Sequence, residues 1–295
     1  MELRELRYFL AVANEENITK AADLVHTTQP NLSRQMHSLE EEIGKPLFVR
    51  ENRRISLTPA GKLLRKRAEE ILELYEKTEK ELTGSDKDIS GDVSIGCGES
   101  YAMRLIARAA KRTRENNPKI RFHFFSGDAA TVTERLDQGL FDFGVLIDYP
   151  DMSEFEYIRL PLFDEWGVLV RSDHPLASKQ AVTAEDLREV PLICSQQVMR
   201  NKAHAVANWL RRAGTAPEIA ATYNLLFNAS LLVREGLGCA LGISRIVCAD
   251  ESNDLQFLPL SPPVESHLDV VRKKSRLLSP AADCFLRELT AVLQH

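Results

Sequence analysis

The feature that most constrains this chain is an apolar stripe that closes on a glycine: Leu32, Met36, Leu39 and Ile43, then Gly44. Steps of four, three and four residues place these side chains on one face of a helix. Glycine just past the stripe supplies a left-handed C-terminal cap. The pattern predicts a helix over 29–43, with Thr28 as N-cap and Pro30 in the first turn, where a missing N–H costs nothing. The opposite face carries Gln29, Asn31, Ser33, Arg34 and His37. An ordinary solvated face is richer in Glu and Lys, and Glu40-Glu41-Glu42 at the far end is read that way. The N-terminal half instead holds short or forked hydrogen-bonding groups, the residue types that read base edges in the DNA major groove. Free amides of the first turn can also approach a phosphate.

The flanking sequence predicts supports for this helix. Leu3, Leu6, Phe9, Leu10 and Ala13 recur at helical spacing, and the polar run Asn14 to Asn17 ends that helix. Thr19 is read as the N-cap of a second helix, whose Ala21-Ala22 pair allows close helix crossing. After Gly44, two short apolar runs, Pro46-Leu47-Phe48-Val49-Arg50 and Ile55-Ser56-Leu57-Thr58, flank a basic turn. That is a hairpin, or wing, and Arg53 and Arg54 at its tip suit a phosphate or a narrow minor groove.

Charge makes this local arrangement matter. The 295-residue chain has a net charge of −5, so bulk composition argues against a non-specific nucleic-acid binder. Affinity for DNA has to come from placed side chains. The stretch Leu24 to Leu39 contains no acidic residue but includes His26, Arg34 and His37.

The order Phe9, Ala21-Ala22, Thr28-Gln29-Pro30, Leu32-Ser33, Leu39-Glu40, Gly44 to Arg50 and Leu57-Thr58-Pro59-Ala60-Gly61 resembles the LysR-type transcriptional regulators. The match runs through the whole N-terminal region without a gap. The resemblance implies DNA contacts from Gln29, Pro30, Ser33 and Arg34, joined by Arg53 or Arg54 from the wing, and Thr28 and Asn31 at the same helix start complete the candidate set. It also implies double-stranded DNA and a small-molecule effector as partners, a homodimer built on the next helix, and a homotetramer. RNA polymerase is left open as a further partner.

That next helix starts at Pro59, capped by Thr58, and runs to about Leu82. Ala60, Leu64, Ala68, Ile71, Tyr75, Thr78 and Leu82 form its seam. At 1.5 Å per residue it extends roughly 30 Å, too far for one small domain to cover, so a partner chain is expected. The polar run Thr83 to Asp88 reads as a hinge.

Beyond it, strands alternate with helices, which predicts a parallel α/β sheet. Strands are expected at Val93–Gly96, Ile120–Phe125, Phe141–Ile147, Trp166–Val170, Leu192–Ser195, Ile219–Tyr223, Cys239–Ile243 and His267–Val271, with one helix over Val198–Ala213. The element order, with Gly236-Leu237-Gly238, resembles the two-lobed, periplasmic-binding-protein-like effector domain of the same family. The expected fold is therefore mixed: an all-α winged helix-turn-helix domain over 1–58, a linker helix and hinge over 59–90, and an α/β effector domain over 91–295. Its first lobe comprises 91–161 and 268–295, its second 162–267.

Ligands in such sheets bind at the carboxyl ends of strands. That selects Cys97-Gly98-Glu99-Ser100, Ser126-Gly127-Asp128, Ser195-Gln196-Gln197 and Asn224 to Asn228, with Phe227 among them. Asp128 is read first as an N-cap. A carboxylate there already meets the helix dipole, so an effector on that position is expected to carry an amino or neutral polar group. Arg200 is read as an exposed helical arginine.

Other function classes find little support. There is no G-x-S-x-G, phosphate-binding loop or H-E-x-x-H, and Gly96-Cys97-Gly98 lacks a third glycine, so no enzyme is expected. The seven histidines show no metal-ligand spacing, and neither metal nor cofactor is expected. A solute receptor would leave the first 58 residues unexplained. Met1-Glu2-Leu3-Arg4-Glu5 does not open a leader, and no apolar run reaches membrane length, so a cytoplasmic protein is expected. Cysteines 97, 194, 239, 248 and 284 are never spaced C-x-x-C and read as reduced, mostly buried thiols. Cys239 and Cys248 form the only pair considered for an alternative, a thiol redox sensor in the same family.

Overall fold

The computed structural model describes residues 1–51, 54–83, 89–201, 204–211, 218–247 and 254–294, without the side chains of 50, 51, 54 and 80–83. The chain divides into two compact units, Met1–Thr83 and Gly84–His295.

In the first unit, α1 (Leu3–Glu15), α2 (Ile18–Leu24) and α3 (Gln29–Ile43) precede a hairpin, β1 (Phe48–Glu51) with β2 (Arg54–Leu57). The long α4 (Pro59–Thr83) closes it. Phe9, Ala21, Leu32, Leu39 and Ala68 lie completely buried in one core. Two caps differ from expectation. Asn17, not Thr19, caps α2, accepting from the amides of Thr19 at 2.9 Å and Lys20 at 3.1 Å. Asn reaches two orphan amides from that position, which Thr19 inside the helix cannot do. Thr28 stands at the N-cap of α3, yet its hydroxyl makes no capping bond. Gly44 ends α3 in the left-handed region (φ 72°) as expected.

Glu40 is not a solvated bystander. Its Oε1 accepts from the amides of Leu47 at 2.7 Å and Phe48 at 3.1 Å, fastening the start of the wing to α3. Thr58 fixes the other end. Its hydroxyl donates to the Pro46 carbonyl at 2.8 Å and accepts the Gly61 amide at 3.0 Å. A side chain on Gly61 would sit 2.2 Å from the Leu47 carbonyl oxygen, which explains glycine there.

The expected seam of α4 is divided by the structure. Ala60, Leu64 and Ala68 pack into the unit's own core together with Leu72, while Leu63, Ile71, Leu74 and Tyr75 are exposed. Leu82 lies among side chains outside the description.

The second unit opens with β3 (Gly91–Cys97), α5 (Met103–Asn116), β4 (Ile120–Ser126), α6 (Ala129–Gln138) and β5 (Phe143–Ile147). The 17-residue β6 (Phe155–Arg171) follows. Next come β7 (Leu192–Ser195), α7 (Gln196–Arg200), α8 (Ala205–Arg211), β8 (Ile219–Tyr223), α9 (Leu226–Arg234) and β9 (Cys239–Ile243). The chain ends with β10 (Leu255–Pro259), β11 (Glu265–Lys273) and α10 (Pro280–Leu293). Strand β3 is parallel to β4 and β5, and β7 is parallel to β8 and β9.

The expectation of a wholly parallel sheet needs correction. Strands β6 and β11 run antiparallel to each other, β11 antiparallel to β5, and β6 antiparallel to β9 and β10. These two long strands carry the chain between lobes. Sequence patterning finds only part of β6, because Pro161 and the outward charges Glu156 and Arg159 break the apolar run. Pro161 falls opposite a register shift between His267 and Asp269, where a ladder amide is dispensable. One core, with Ile95, Ile106, Phe143 and Phe285, fills the first lobe, and another, with Val168, Leu192, Trp209 and Leu241, fills the second. The single helix expected over Val198–Ala213 is two pieces, α7 and α8. His204 separates them and accepts the Val206 amide through Nδ1 at 3.3 Å.

Candidate functional site

The first site is the outer face of α3. Thr28, Gln29, Pro30 and Arg34 are exposed, Asn31 and Ser33 half-buried, and all occupy the first two turns or the cap before them. Asn31 donates through Nδ2 to the Thr27 hydroxyl at 2.9 Å, and Arg34 Nε reaches the Pro30 carbonyl at 3.4 Å. Both contacts are local to the start of the helix. His37 pairs with Glu41 at 3.4 Å, so this part of the face is partly self-occupied. Arg53 and the side chain of Arg54 lie outside the described residues.

The second site is a cleft of about 640 Å³, open mouth included, within the second unit. The structure brings together Gly98, Glu99, Gly127, Asp128, Ser195, Gln196, Gln197, Asn224 and Leu226, all from the sequence-selected loops. Ile147, Trp166, Val198, His204, Tyr223 and Ile243 complete it. Patterning missed these because they sit inside strands or helix ends and meet only through the fold.

Of the selected loops, Cys97, Ser100, Ser126, Leu225, Phe227 and Asn228 are not among the residues lining the cleft. Cys97 is buried, and its thiol faces the Phe125 carbonyl at 3.6 Å. Ser100 is buried and accepts the Ala102 amide at 3.0 Å, serving the turn before α5. Phe227 is 60% exposed and points away, because one step along α9 turns it off the face that Leu226 presents.

Each helix start at the cleft has an acceptor from the chain itself. Asp128 accepts from the Thr131 amide at 2.9 Å and its hydroxyl at 2.7 Å. Those bonds, with a smaller contribution from Arg200, lower its pKa against a partial desolvation. Arg200 stands 3.8 Å from Asp128, so it is exposed but also paired. Ser195 caps α7 through the Gln197 amide at 3.3 Å. Leu225, before α9, offers no capping side chain. Glu99 from the opposite lobe fills that role, its Oε2 accepting the Leu226 amide at 2.6 Å.

The walls are mostly apolar or neutral. Tyr223 spends its hydroxyl proton on the Leu241 carbonyl at 2.8 Å, and burial raises its pKa. Burial lowers that of His204. Gln197 reaches the Ile147 carbonyl at 3.4 Å, a second bond across the cleft. Among the described residues no group of histidines, cysteines or carboxylates could hold a metal ion. No helix among them is long and apolar enough to cross a membrane.

Comparison with known proteins identifies a family for each of the two parts of the chain. Residues 3–62 match the bacterial regulatory helix-turn-helix model of the LysR family, and residues 86–294 match the LysR substrate-binding domain. The chain is 31% identical over 300 residues to the Hca operon transcriptional activator HcaR of Escherichia coli, covering 100% of this chain and 98% of the relative. It is 28% identical to the transcriptional activator IlvY of Salmonella typhimurium, covering 98% and 99%. Among solved structures, the LysR family regulator CbnR shares the fold, with a TM-score of 0.76 over 100% of both chains at 20% identity. CbnR bound to its target DNA gives 0.75 at 21% identity, over 99% of this chain and 100% of that one. The chain belongs to the LysR family of transcriptional regulators, with a DNA-binding helix-turn-helix followed by an effector-binding domain.

Proposed function

We propose that this regulator reads its operator with Thr28, Gln29, Pro30, Asn31, Ser33 and Arg34, and grips the backbone with Arg53 and Arg54. It works as a cytoplasmic homotetramer built from dimers and has no enzymatic activity of its own. Small molecules that enter the cleft between lobes shift the relative placement of its DNA-binding domains. Such a shift requires different affinities for two arrangements of the protein. The observation that carries this reading is the exposed polar start of α3 on an otherwise tightly packed small unit. In this reading the effector domain has one lobe of residues 91–161 with 268–295 and another of 162–267, consistent with two separate apolar cores.

Genome-wide mapping of bound sites tests the proposal. A shared two-fold-related sequence at promoters, lost with Arg34→Ala, is the expected result. Scattered sites without a common sequence would remove the operator-reading role.

A further inference from the structure

The cleft contains an arrangement that bears on which effectors can enter. Helix α9 begins without a side-chain cap of its own, so its first amides form an electropositive corner that favours an anion. Glu99 sits in that corner, reaching from the loop after β3 in the other lobe to the Leu226 amide at 2.6 Å. The corresponding position at α6 is held by Asp128. Among the described residues the cleft walls contain these two carboxylates and no Lys or Arg; Arg200 is committed to Asp128 at 3.8 Å.

We propose that Glu99 is a specificity residue that occupies, from within the chain, the place a ligand carboxylate would take, and so selects ligands bearing a protonated amine. This rests on the reading of the cleft as the effector site. Two consequences follow from the geometry. An anionic ligand would have to displace Glu99 from the Leu226 amide and then share the cleft with a released carboxylate, so it is penalised twice. An ammonium group can instead approach the remaining oxygen of Glu99, Oε1, which has no hydrogen-bond partner among the described residues. The apolar body of such a ligand would rest against Ile147, Trp166 and Leu226.

Matched probes separate charge from shape. Benzylamine and benzoate have nearly the same size, as do butylamine and butyrate. Each is titrated into the full-length protein, read by calorimetry and by fluorescence of Trp166, with a Trp209→Phe background removing the other tryptophan. In wild type the amines are expected to bind at least tenfold more tightly than the acids. Glu99→Gln, which keeps an acceptor for the Leu226 amide and preserves the fold, is expected to erase most of that ratio. Glu99→Ala frees the amide and is expected to gain at least tenfold in affinity for benzoate. Acids binding wild type as well as amines do, or an unchanged ratio in both variants, would overturn the role of Glu99 while leaving the cleft an effector site. If no probe binds wild type or either variant, the reading of the cleft fails together with the inference.

Discussion

The Glu40 carboxylate accepts the Leu47 amide at 2.7 Å, and this one contact couples the end of α3 to the first strand of the wing. The same oxygen also takes the Phe48 amide. Phe48 in turn lies against Phe9 of α1, with ring centroids 5.3 Å apart. Glu40→Ala leaves two amides at the base of the wing without their acceptor, a loss of about 1–3 kcal/mol for charge-assisted bonds. Thermal unfolding should show it, and Glu40→Gln should recover part of the loss. Equal stability of Glu40→Ala and wild type would mean that water replaces the carboxylate there.

Arg34 is expected to carry base discrimination. Its side chain is exposed near the start of α3, where among the described residues it reaches only the Pro30 carbonyl. If it forks onto a guanine, Arg34→Ala loses about 1–3 kcal/mol of preference for the operator over random DNA. Arg53→Ala should instead weaken both DNAs alike and flatten the salt dependence. Fluorescence anisotropy at several salt concentrations distinguishes the two patterns. Small, equal effects of Arg34→Ala on both DNAs would count against its role.

Local periodicity made the first unit legible, whereas contacts distant in sequence hid the rest. The stripe Leu32, Met36, Leu39 is a property of one helix and could be read directly. Glu40 looks like its two neighbours until the strand seven residues later arrives with its amides. The capping role read for Asp128 from sequence is the one it performs. Glu99, by contrast, has its partner 127 residues away, and Trp166 on β6 and His204 before α8 meet at the cleft from distant parts of the chain. No pattern along the chain announces such meetings.

The exposed apolar row on α4 is expected to bury itself against a second copy. Leu63, Ile71 and Leu74 follow helical spacing on a face left open by the unit's own core. The double substitution Ile71→Asp and Leu74→Asp should leave each unit folded, since neither side chain enters that core. Sedimentation should then show smaller assemblies, and operator affinity should fall at least tenfold because paired half-sites are no longer bridged. An unchanged sedimentation coefficient would place the dimer contact elsewhere.

Peroxide is expected to leave DNA binding unchanged. Cys97, Cys194, Cys239 and Cys284 are buried free thiols, while Cys248 lies outside the described residues. Burial pushes the Cys194 thiol up to about 12 and Cys239 up to about 11, so neither offers an appreciable thiolate at neutral pH. Wild type, Cys239→Ser and Cys248→Ser should bind operator equally before and after treatment. A peroxide response in wild type that either serine variant abolishes would restore a redox-sensing role.

Asp164 supplies the clearest pH dependence. It lies on β6, paired in register with Ser266, and is completely buried. Desolvation raises its pKa; the Ser100 hydroxyl, Arg245 and the Tyr101 amide pull it down less strongly, and Asp148 adds to the rise. With the folded pKa above the unfolded one, the folded state holds its proton more tightly. The two states are equal in protonation below about pH 4, the ordinary aspartate range. As pH rises through that value and up to the folded pKa, the unfolded chain ionises first and stability falls. Asp164→Asn removes the buried charge and is expected to stabilise the second unit near pH 7 by on the order of 1 kcal/mol. That advantage should shrink as the pH is lowered towards 4. Chemical denaturation of both proteins across this range measures it. An asparagine variant less stable at every pH would show instead that attraction to Arg245 outweighs the desolvation of Asp164.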